Sequence, residues 1–214
     1  MLACHHPPWY EFVVSRLPCI SFHSGLETLG IMHPHWYSAS PDEQRRLISL
    51  FILSLSSHSP SPSPFASEVN STRSSHDVAA VLRWGLRHLK LEGNTFGTDE
   101  GWYKSFFDEE RAAEYPIGAF TDKLVPKLPK AHLELLTATL EVISSLAAHA
   151  EANGTSGSKL SKLFGLWLLT AQRVEGDDDW LTFYERWERT GRMLEHLFFA
   201  RIRCVLIFTL FYVV

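Results

Sequence analysis

The feature that most constrains this fold is a pair of apolar-periodic segments separated by glycines, between Pro129 and Thr170. In both segments apolar residues recur every three or four positions, which is the spacing of one buried face of an amphipathic helix. Asn153-Gly154 ends the first helix, and Gly157-Ser158 makes a second break with Ser158 as the expected N-cap of a helix over about 159–173. The predicted core positions are Leu133, Leu136, Leu140, Ile143 and Ala147, then Leu160, Leu163, Phe164, Trp167 and Leu168.

The composition places the chain among globular proteins with a core of their own. It has 214 residues, of which 45% are hydrophobic, enough for one domain. The net charge of -4 argues against a nucleic-acid partner. Three widely spaced cysteines indicate a reducing, cytoplasmic compartment and no disulfide framework.

The rest of the chain also predicts helices. Ser40 and Pro41 are typical of a helix start, and that helix should run to about residue 55 before a flexible Ser/Pro loop at 56–64. Asp77 should cap a helix over 78–91 that Gly93 and Gly97 end. Further helices are predicted over 102–114 and 180–204, with a connector containing a helical turn over 120–128. The last helix should bury Tyr184, Trp187, Leu194, Leu197 and Phe198.

These elements predict an all-α, multi-helix bundle. We divide the chain into a poorly patterned segment over 1–40, a helical domain over 41–203 and an apolar tail over 204–214. The tail is short for a bilayer and follows Arg201 and Arg203, so a membrane anchor is not expected. A buried last turn, a strand or a truncated end remain the alternatives for it.

No self-contained catalytic or metal centre is predicted. His5, His6, His33 and His35, with Cys4 and Cys19, match no metal-ligand spacing. Gly-rich phosphate loops and nucleophile elbows are absent from the sequence, so neither catalytic residues nor a cofactor is expected. The acidic runs Glu109-Glu110 and Asp177–Asp179 are interpreted as solvated faces.

A basic helix face is the stronger functional signal. Arg83 and Arg87 lie four residues apart and therefore share one side of the 78–91 helix. The face is either simply solvated or a contact surface for an acidic or phosphate-bearing partner.

Three stretches between Asp77 and Thr170 carry a family resemblance. Pro129-Lys130-Ala131-His132-Leu133-Glu134-Leu135-Leu136 is similar to the "LPxxNxxLL" opening of a core helix in Rho GTPase-activating (RhoGAP) domains. The stretch from Asn153 to Leu169 follows the pattern "NKMxxxNLAxxFGPxLL" without a gap, with Phe164-Gly165 on its Phe-Gly. Val81 to Arg87 is similar to the family's "LLKxxLRxLP" helix.

The departures from the family pattern concern catalysis. The second family Asn is Lys159 here, the Pro after Phe-Gly is Leu166, and the helix Lys is Arg83. The arginine finger belongs in an upstream "GIFRxSG" loop, where the similar stretch Leu26–His33 places His33. Since a finger contributes roughly 10³–10⁵ to GTP hydrolysis, the resemblance implies a RhoGAP-like fold without an enzyme's activity.

The residues of three stretches, Asp77–Trp84, Ser158–Gly165 and Met193–Phe198, carry a narrower resemblance. They are similar to the fungal morphogenesis domain family, which is also labelled by meiotic up-regulation and is RhoGAP-like. The resemblance implies a scaffold in Rho-GTPase signalling for cell polarity and morphogenesis, located in the cytoplasm and at the cell cortex or the bud or septum site. The partners would be a Rho-family GTPase or polarity regulators.

By carry-over, the partner-binding residues should be Arg83, Arg87, Asn153 and Lys159, presented together by helix 78–91 and the start of helix 159–173. The alternative is an active GTPase-activating domain that uses another arginine, such as Arg16, Arg45 or Arg46. A third interpretation is a helical bundle that only supports a longer protein.

Overall fold

A computed structural model describes residues 25–33, 40–56, 64–72, 74–88, 96, 101–169 and 179–212, with side chains up to Ser54 in the first helix and Val205 in the last. Over these ranges the regular structure is helical and contains no strand, which confirms the predicted all-α class. The helices are α1 (Pro41–Ser56), α2 (Pro64–Ser71), α3 (Ser75–Arg87), α4 (Trp102–Ala112), α5 (Lys130–Ala148), α6 (Ala150–Asn153), α7 (Gly157–Leu169) and α8 (Trp180–Tyr212).

The chain forms two compact units that each combine separate stretches of sequence. The first unit draws on Met1–His88 and Ser144–Ser156, and the second on Leu89–Ile143 and Gly157–Val214. Helix α5 therefore begins in the second unit and ends in the first.

The first unit joins α1, α2 and α3 around an aromatic core. The Phe51 ring lies 5.4 Å from Phe65 and 6.3 Å from Trp84. Phe65 and Val69 are buried from α2, a helix that the Ser/Pro pattern did not predict. Pro64, assigned to the loop at 56–64, instead occupies the first position of that helix, where its missing N–H costs nothing. Ser56, also assigned to that loop, is the last residue of α1, and residues 57–63 lie outside the described residues.

Asp77 has a different role from the one predicted. Helix α3 begins earlier, at Ser75, so Asp77 lies in its first turn and does not cap it. Its Oδ1 accepts hydrogen bonds from the Ser40 main chain at 2.8 Å and from Gln44 Nε2 at 2.9 Å. Asp77 thus holds the start of α1, while the Ser40 hydroxyl accepts the Glu43 N–H as predicted for a cap. Helix α3 ends at Arg87, and residues 89–91 of the predicted helix lie outside the described residues, as do Gly93 and Gly97, which were predicted to end it.

In the second unit α7 packs closely against α8. A Cβ built on Gly165 would lie 2.5 Å from the Thr190 carbonyl oxygen, so only glycine permits this approach. Leu160, Phe164 and Leu168 are buried as predicted, whereas Leu163 and Trp167 are half-buried. Helix α7 begins at Gly157, which makes the prediction of Ser158 as N-cap wrong; its hydroxyl bonds the Glu195 carboxylate instead.

The predicted connector at 120–128 does contain helical turns. A π-helical turn over Phe120–Leu124 leads into a 3₁₀ turn over Val125–Lys127. Phe120 and Leu124 are buried there. The connector is anchored to α4 because Lys127 Nζ lies 2.7 Å from Glu109 Oε1.

Helix α5 supplies the most deeply buried apolar stripe. Leu136, Leu140 and Ile143 are buried as predicted, while Leu133 and Ala147 are half-buried. Among the described residues, α5 is the helix that is long and apolar enough to cross a bilayer. Within the protein, 44% of its apolar stretch is buried.

Helix α8 begins at Trp180 as predicted, but it extends beyond its predicted end at residue 204. Asp179 Oδ1 accepts the Thr182 N–H at 2.7 Å and so caps the start. The helix continues to Tyr212, which excludes a strand over that part of the apolar tail. Leu194, Leu197 and Phe198 are buried as predicted, but Tyr184 was wrongly assigned to the core, since 46% of it is exposed.

Candidate functional site

Asn153 is the central residue of the candidate site in the first unit. It ends α6, and Gly154 follows in the left-handed conformation at φ 73°, which lets the chain reverse. The Asn153 side chain is fully buried. Its Nδ2 donates to the Leu26 and Leu146 carbonyl oxygens, both at 2.8 Å, and its Oδ1 accepts the Thr155 N–H at 2.7 Å. Both amide protons are therefore used inside the protein.

The segment over 25–33, called here the 25–33 loop, lies against Asn153. The Gly30 N–H donates to the Asn153 carbonyl oxygen at 2.9 Å, and the Thr155 hydroxyl donates to the Ile31 carbonyl at 3.3 Å. Gly30 and Met32 both have φ near 70°. For Met32 this conformation is uncommon, and it is maintained by the burial of the neighbouring Ile31 and of Met32 itself.

Arg83 contacts the same loop from α3. Its Nη1 donates to the Met32 carbonyl oxygen at 3.2 Å, while its Nε is buried with no hydrogen-bond partner among the described residues. Burial lowers the pKa of the Arg83 guanidinium. The side chain is half-buried, so Arg83 positions the loop and shows only part of its charge to solvent.

The other two predicted residues are exposed but belong to different units. Arg87 lies in the last turn of α3, in the first unit. Lys159 lies in the first turn of α7, in the second unit. The structure thus connects Arg83 and Asn153 through the 25–33 loop. A shared surface that includes Lys159, and partner binding by these four residues, stay predictions.

The burial of Asn153 changes what it can contribute to such a surface. Its side chain cannot reach a partner while both amide protons bond internal carbonyls. Any effect of Asn153 on binding would act through the loop that it holds. The resemblance aligned Leu26–His33 with the loop that carries the arginine finger in RhoGAP domains. No pattern in the sequence indicated that this loop hydrogen-bonds to Asn153, Thr155 and Arg83.

A second polar cluster, in the second unit, was missed. Glu110 was interpreted as part of a solvated face, which is wrong because its side chain is fully buried. It pairs with Arg203, and its Oε2 lies 2.6 Å from His196 Nε2. His196 Nδ1 in turn lies 3.1 Å from the Tyr103 hydroxyl. The seven-residue spacing of His196 and Arg203, on one helix face, is the signal that could have suggested a shared partner.

The described residues contain no group of three or more His, Cys, Asp or Glu side chains placed to hold a metal ion. Of the histidine-rich N-terminal part, only His33 is described; His5, His6, His35, Cys4 and Cys19 lie outside the described residues.

One family model, described as the meiotically up-regulated protein Msb1/Mug8 domain, matches residues 23–207. The match thus includes the 25–33 loop and extends beyond both predicted domain boundaries, at 41 and at 203. No curated protein matches the chain.

Proposed function

Because the chain belongs to the meiotically up-regulated Msb1/Mug8 domain family, we propose that it is a non-catalytic, RhoGAP-like interaction domain. It binds a Rho-family GTPase or polarity regulators and acts as a scaffold in Rho-GTPase signalling for polarised growth and morphogenesis. Its place of action is the cytoplasm, at the cell cortex or the bud or septum site. The RhoGAP part of this proposal rests on the resemblance over Asp77–Thr170.

The proposal that the domain is non-catalytic rests on the amino-acid composition of the 25–33 loop, which lies beside Arg83. An active GTPase-activating domain needs an arginine there that reaches outward to the nucleotide. Residues 25–33 read Gly-Leu-Glu-Thr-Leu-Gly-Ile-Met-His and contain no arginine. His33 is a poor substitute, because a neutral imidazole does not offer the permanent charge and the forked donors of a guanidinium.

Two of the alternative arginines are also poorly suited to be a finger. Arg45 and Arg46 lie on the regular helix α1 and not on a loop. Arg45 pairs with Asp42 at 3.2 Å, while Arg46 pairs with Glu43 at 3.5 Å and also contacts Glu68. Arg16 lies outside the described residues, so an active domain using Arg16 remains the alternative that the experiment must exclude.

The proposed partner surface begins at Arg87. Its exposed guanidinium extends from the last turn of α3, the helix whose Arg83 positions the 25–33 loop. A cation there would steer an acidic partner surface and hydrogen-bond to it. Arg83 and Asn153 would support the surface by holding the loop, and Lys159, in the second unit, stays a predicted contact residue of its own.

The test measures binding and catalysis in the same samples. The chain is mixed at low salt with Rho-family GTPases loaded with GDP or with a non-hydrolysable GTP analogue, and GTP turnover is followed in parallel. We expect binding to at least one GTPase without faster turnover. Turnover raised about a thousandfold would establish the active alternative, whereas no binding to any member of the panel would reject the GTPase partner.

A matched pair of variants tests the surface itself. Arg87→Glu should weaken binding about tenfold by placing like charges opposite each other. Arg111→Glu is the control, because Arg111 is also exposed and also lies in the last turn of a helix, α4. Equal binding by both variants would reject the surface at Arg87.

A further inference from the structure

The start of α8 exposes large apolar side chains. Trp180 is 77% exposed and Leu181 is 63% exposed, and Phe183 and Tyr184 are also accessible. A cluster of this kind on one short stretch of helix is typical of an interaction site. Tryptophan and tyrosine are also the residues that most often dominate binding energy at interfaces.

A cavity adjoins this apolar cluster in the second unit. It has a volume of about 420 Å³ and is lined by Tyr103 of α4 and by α8 residues between Tyr184 and Met193. Its size is in the range of preformed binding sites. Since Leu181, Tyr184 and Glu188 lie three and four residues apart, Leu181 and Tyr184 share one face of α8 with the cavity. Trp180 and Phe183, whose rings stack with centroids 5.6 Å apart, lie beside that face. We call this surface the α4–α8 groove.

Tyr103 forms one wall of the α4–α8 groove, and its position is fixed by a hydrogen bond and the ion pairs that follow it. The Tyr103 hydroxyl hydrogen-bonds His196 Nδ1 at 3.1 Å, His196 contacts the buried Glu110 carboxylate, and Arg203 holds the other Glu110 oxygen. Burial, followed by the Glu110 charge, raises the pKa of Tyr103 to about 12, so the hydroxyl keeps its proton. Because the Tyr103 side chain is already ordered in the free protein, binding against it costs less side-chain entropy.

Charges of opposite sign are separated along the groove. Glu185 is exposed at its first end, and Arg189 and Arg192 are exposed one to two turns later; all three line the cavity. Glu188 is neutralised between them by Lys162 Nζ at 2.7 Å and Arg192 Nη2 at 3.4 Å. Within the described ranges neither Glu185 nor Arg189 makes an ion pair, although their four-residue spacing would permit one.

We propose that the α4–α8 groove docks an amphipathic helix of a partner protein. The apolar stripe of that helix covers Trp180, Leu181 and Tyr184 and places one side chain in the cavity, as in other helix-in-groove complexes. Its basic end faces Glu185, and its acidic end faces Arg189 and Arg192. This charge complementarity sets the orientation of the partner. The surface is separate from the one at Arg87 and does not depend on GTPase binding.

The probe for this proposal is a labelled synthetic helix of about 18 residues, or five turns. It carries a Leu/Trp stripe, lysines in one half and glutamates in the other, and its binding to the full chain is followed by fluorescence anisotropy. We expect saturable binding that Tyr184→Ser weakens at least about tenfold. A peptide of the same composition with mixed charges should bind more weakly.

A charge-reversal rescue makes the test specific. Arg189→Glu should weaken the original probe about tenfold, and a probe with lysines in both halves should restore the affinity to that variant. Restored binding also shows that the variant is folded. Lys104→Glu is the control, because Lys104 is exposed on α4 but does not line the cavity.

Three results would overturn the proposal. The first is an absence of saturable binding by the unmodified chain. The second is equal affinity for the charge-separated and charge-mixed probes, which would indicate only non-specific apolar adhesion. The third is self-association of the chain that Tyr184→Ser abolishes, which would assign the groove to a second copy.

Discussion

The side-chain amide of Asn153 donates a hydrogen bond to the main-chain carbonyl of Leu26, 127 residues earlier in the chain, over 2.8 Å. The same amide nitrogen bonds the Leu146 carbonyl. One side chain therefore fixes the end of α5, the turn at Gly154 and the 25–33 loop in one arrangement. In our proposal that loop occupies the place of the catalytic loop of an active GTPase-activating domain.

Asn153→Ala should destabilise the chain by about 2–4 kcal/mol, because the buried Leu146 carbonyl and the partly buried Leu26 carbonyl lose their donor. The free energy of unfolding in urea measures the loss. Asn70→Ala is the control, since Asn70 is exposed on α2. A change at Asn153 as small as the change at Asn70 would show that the hydrogen bonds contribute little.

Replacing either of two helical glycines, Gly165 and Gly85, by alanine should change the stability of the chain in opposite directions. A Cβ at Gly165 would lie 2.5 Å from the Thr190 carbonyl oxygen, so Gly165→Ala must separate α7 from α8 and should cost about 1–3 kcal/mol. A Cβ at Gly85 meets nothing within 4 Å, so Gly85→Ala should stabilise α3 by about 0.5–1 kcal/mol. Thermal melts of both variants test this, and shifts of the same sign would contradict the packing described.

Glu110 and Glu109 are adjacent glutamates with different environments. Glu110→Gln should cost about 3–5 kcal/mol, since it leaves Arg203 partly buried without its counter-charge. Glu109→Gln should cost less than about 1 kcal/mol, because Glu109 is exposed and pairs with Lys127 at the surface. Denaturant unfolding of the two variants side by side gives the comparison, and equal losses would refute the assigned environments.

The environment of Tyr103 predicts a loss of stability at alkaline pH. Its pKa rises from 10.0 to about 12 on folding, so between these values the folded chain keeps a proton that the unfolded chain has released. The stabilisation is complete below about pH 10 and is lost as the pH rises through 12.

Unfolding free energies from about pH 9 to about pH 11 should therefore fall less steeply for Tyr103→Phe than for the unmodified chain. Tyr184→Phe serves as the control because Tyr184 is exposed. Parallel curves of unfolding free energy against pH for Tyr103→Phe and the unmodified chain would contradict the raised pKa of Tyr103.

The sequence by itself determined the helical class and much of the core. Apolar residues three and four positions apart predicted the buried Leu136, Leu140 and Ile143 of α5. The Asn153-Gly154 pair predicted the chain reversal after α6, although α5 itself already ends at Ala148. These properties are local, because helical periodicity and turn chemistry depend on neighbouring residues. The resemblance also aligned Leu26–His33 with the loop that carries the arginine finger in RhoGAP domains.

Only the tertiary structure decided the roles of the polar residues. Asp77 caps no helix of its own but holds the start of α1, and Glu110 is buried while its neighbour Glu109 is exposed. Tyr184 has the spacing of a core residue and yet borders a groove. The free energy of a carboxylate, an amide or an aromatic ring depends on what distant segments pack against it, and that information is absent from any local pattern.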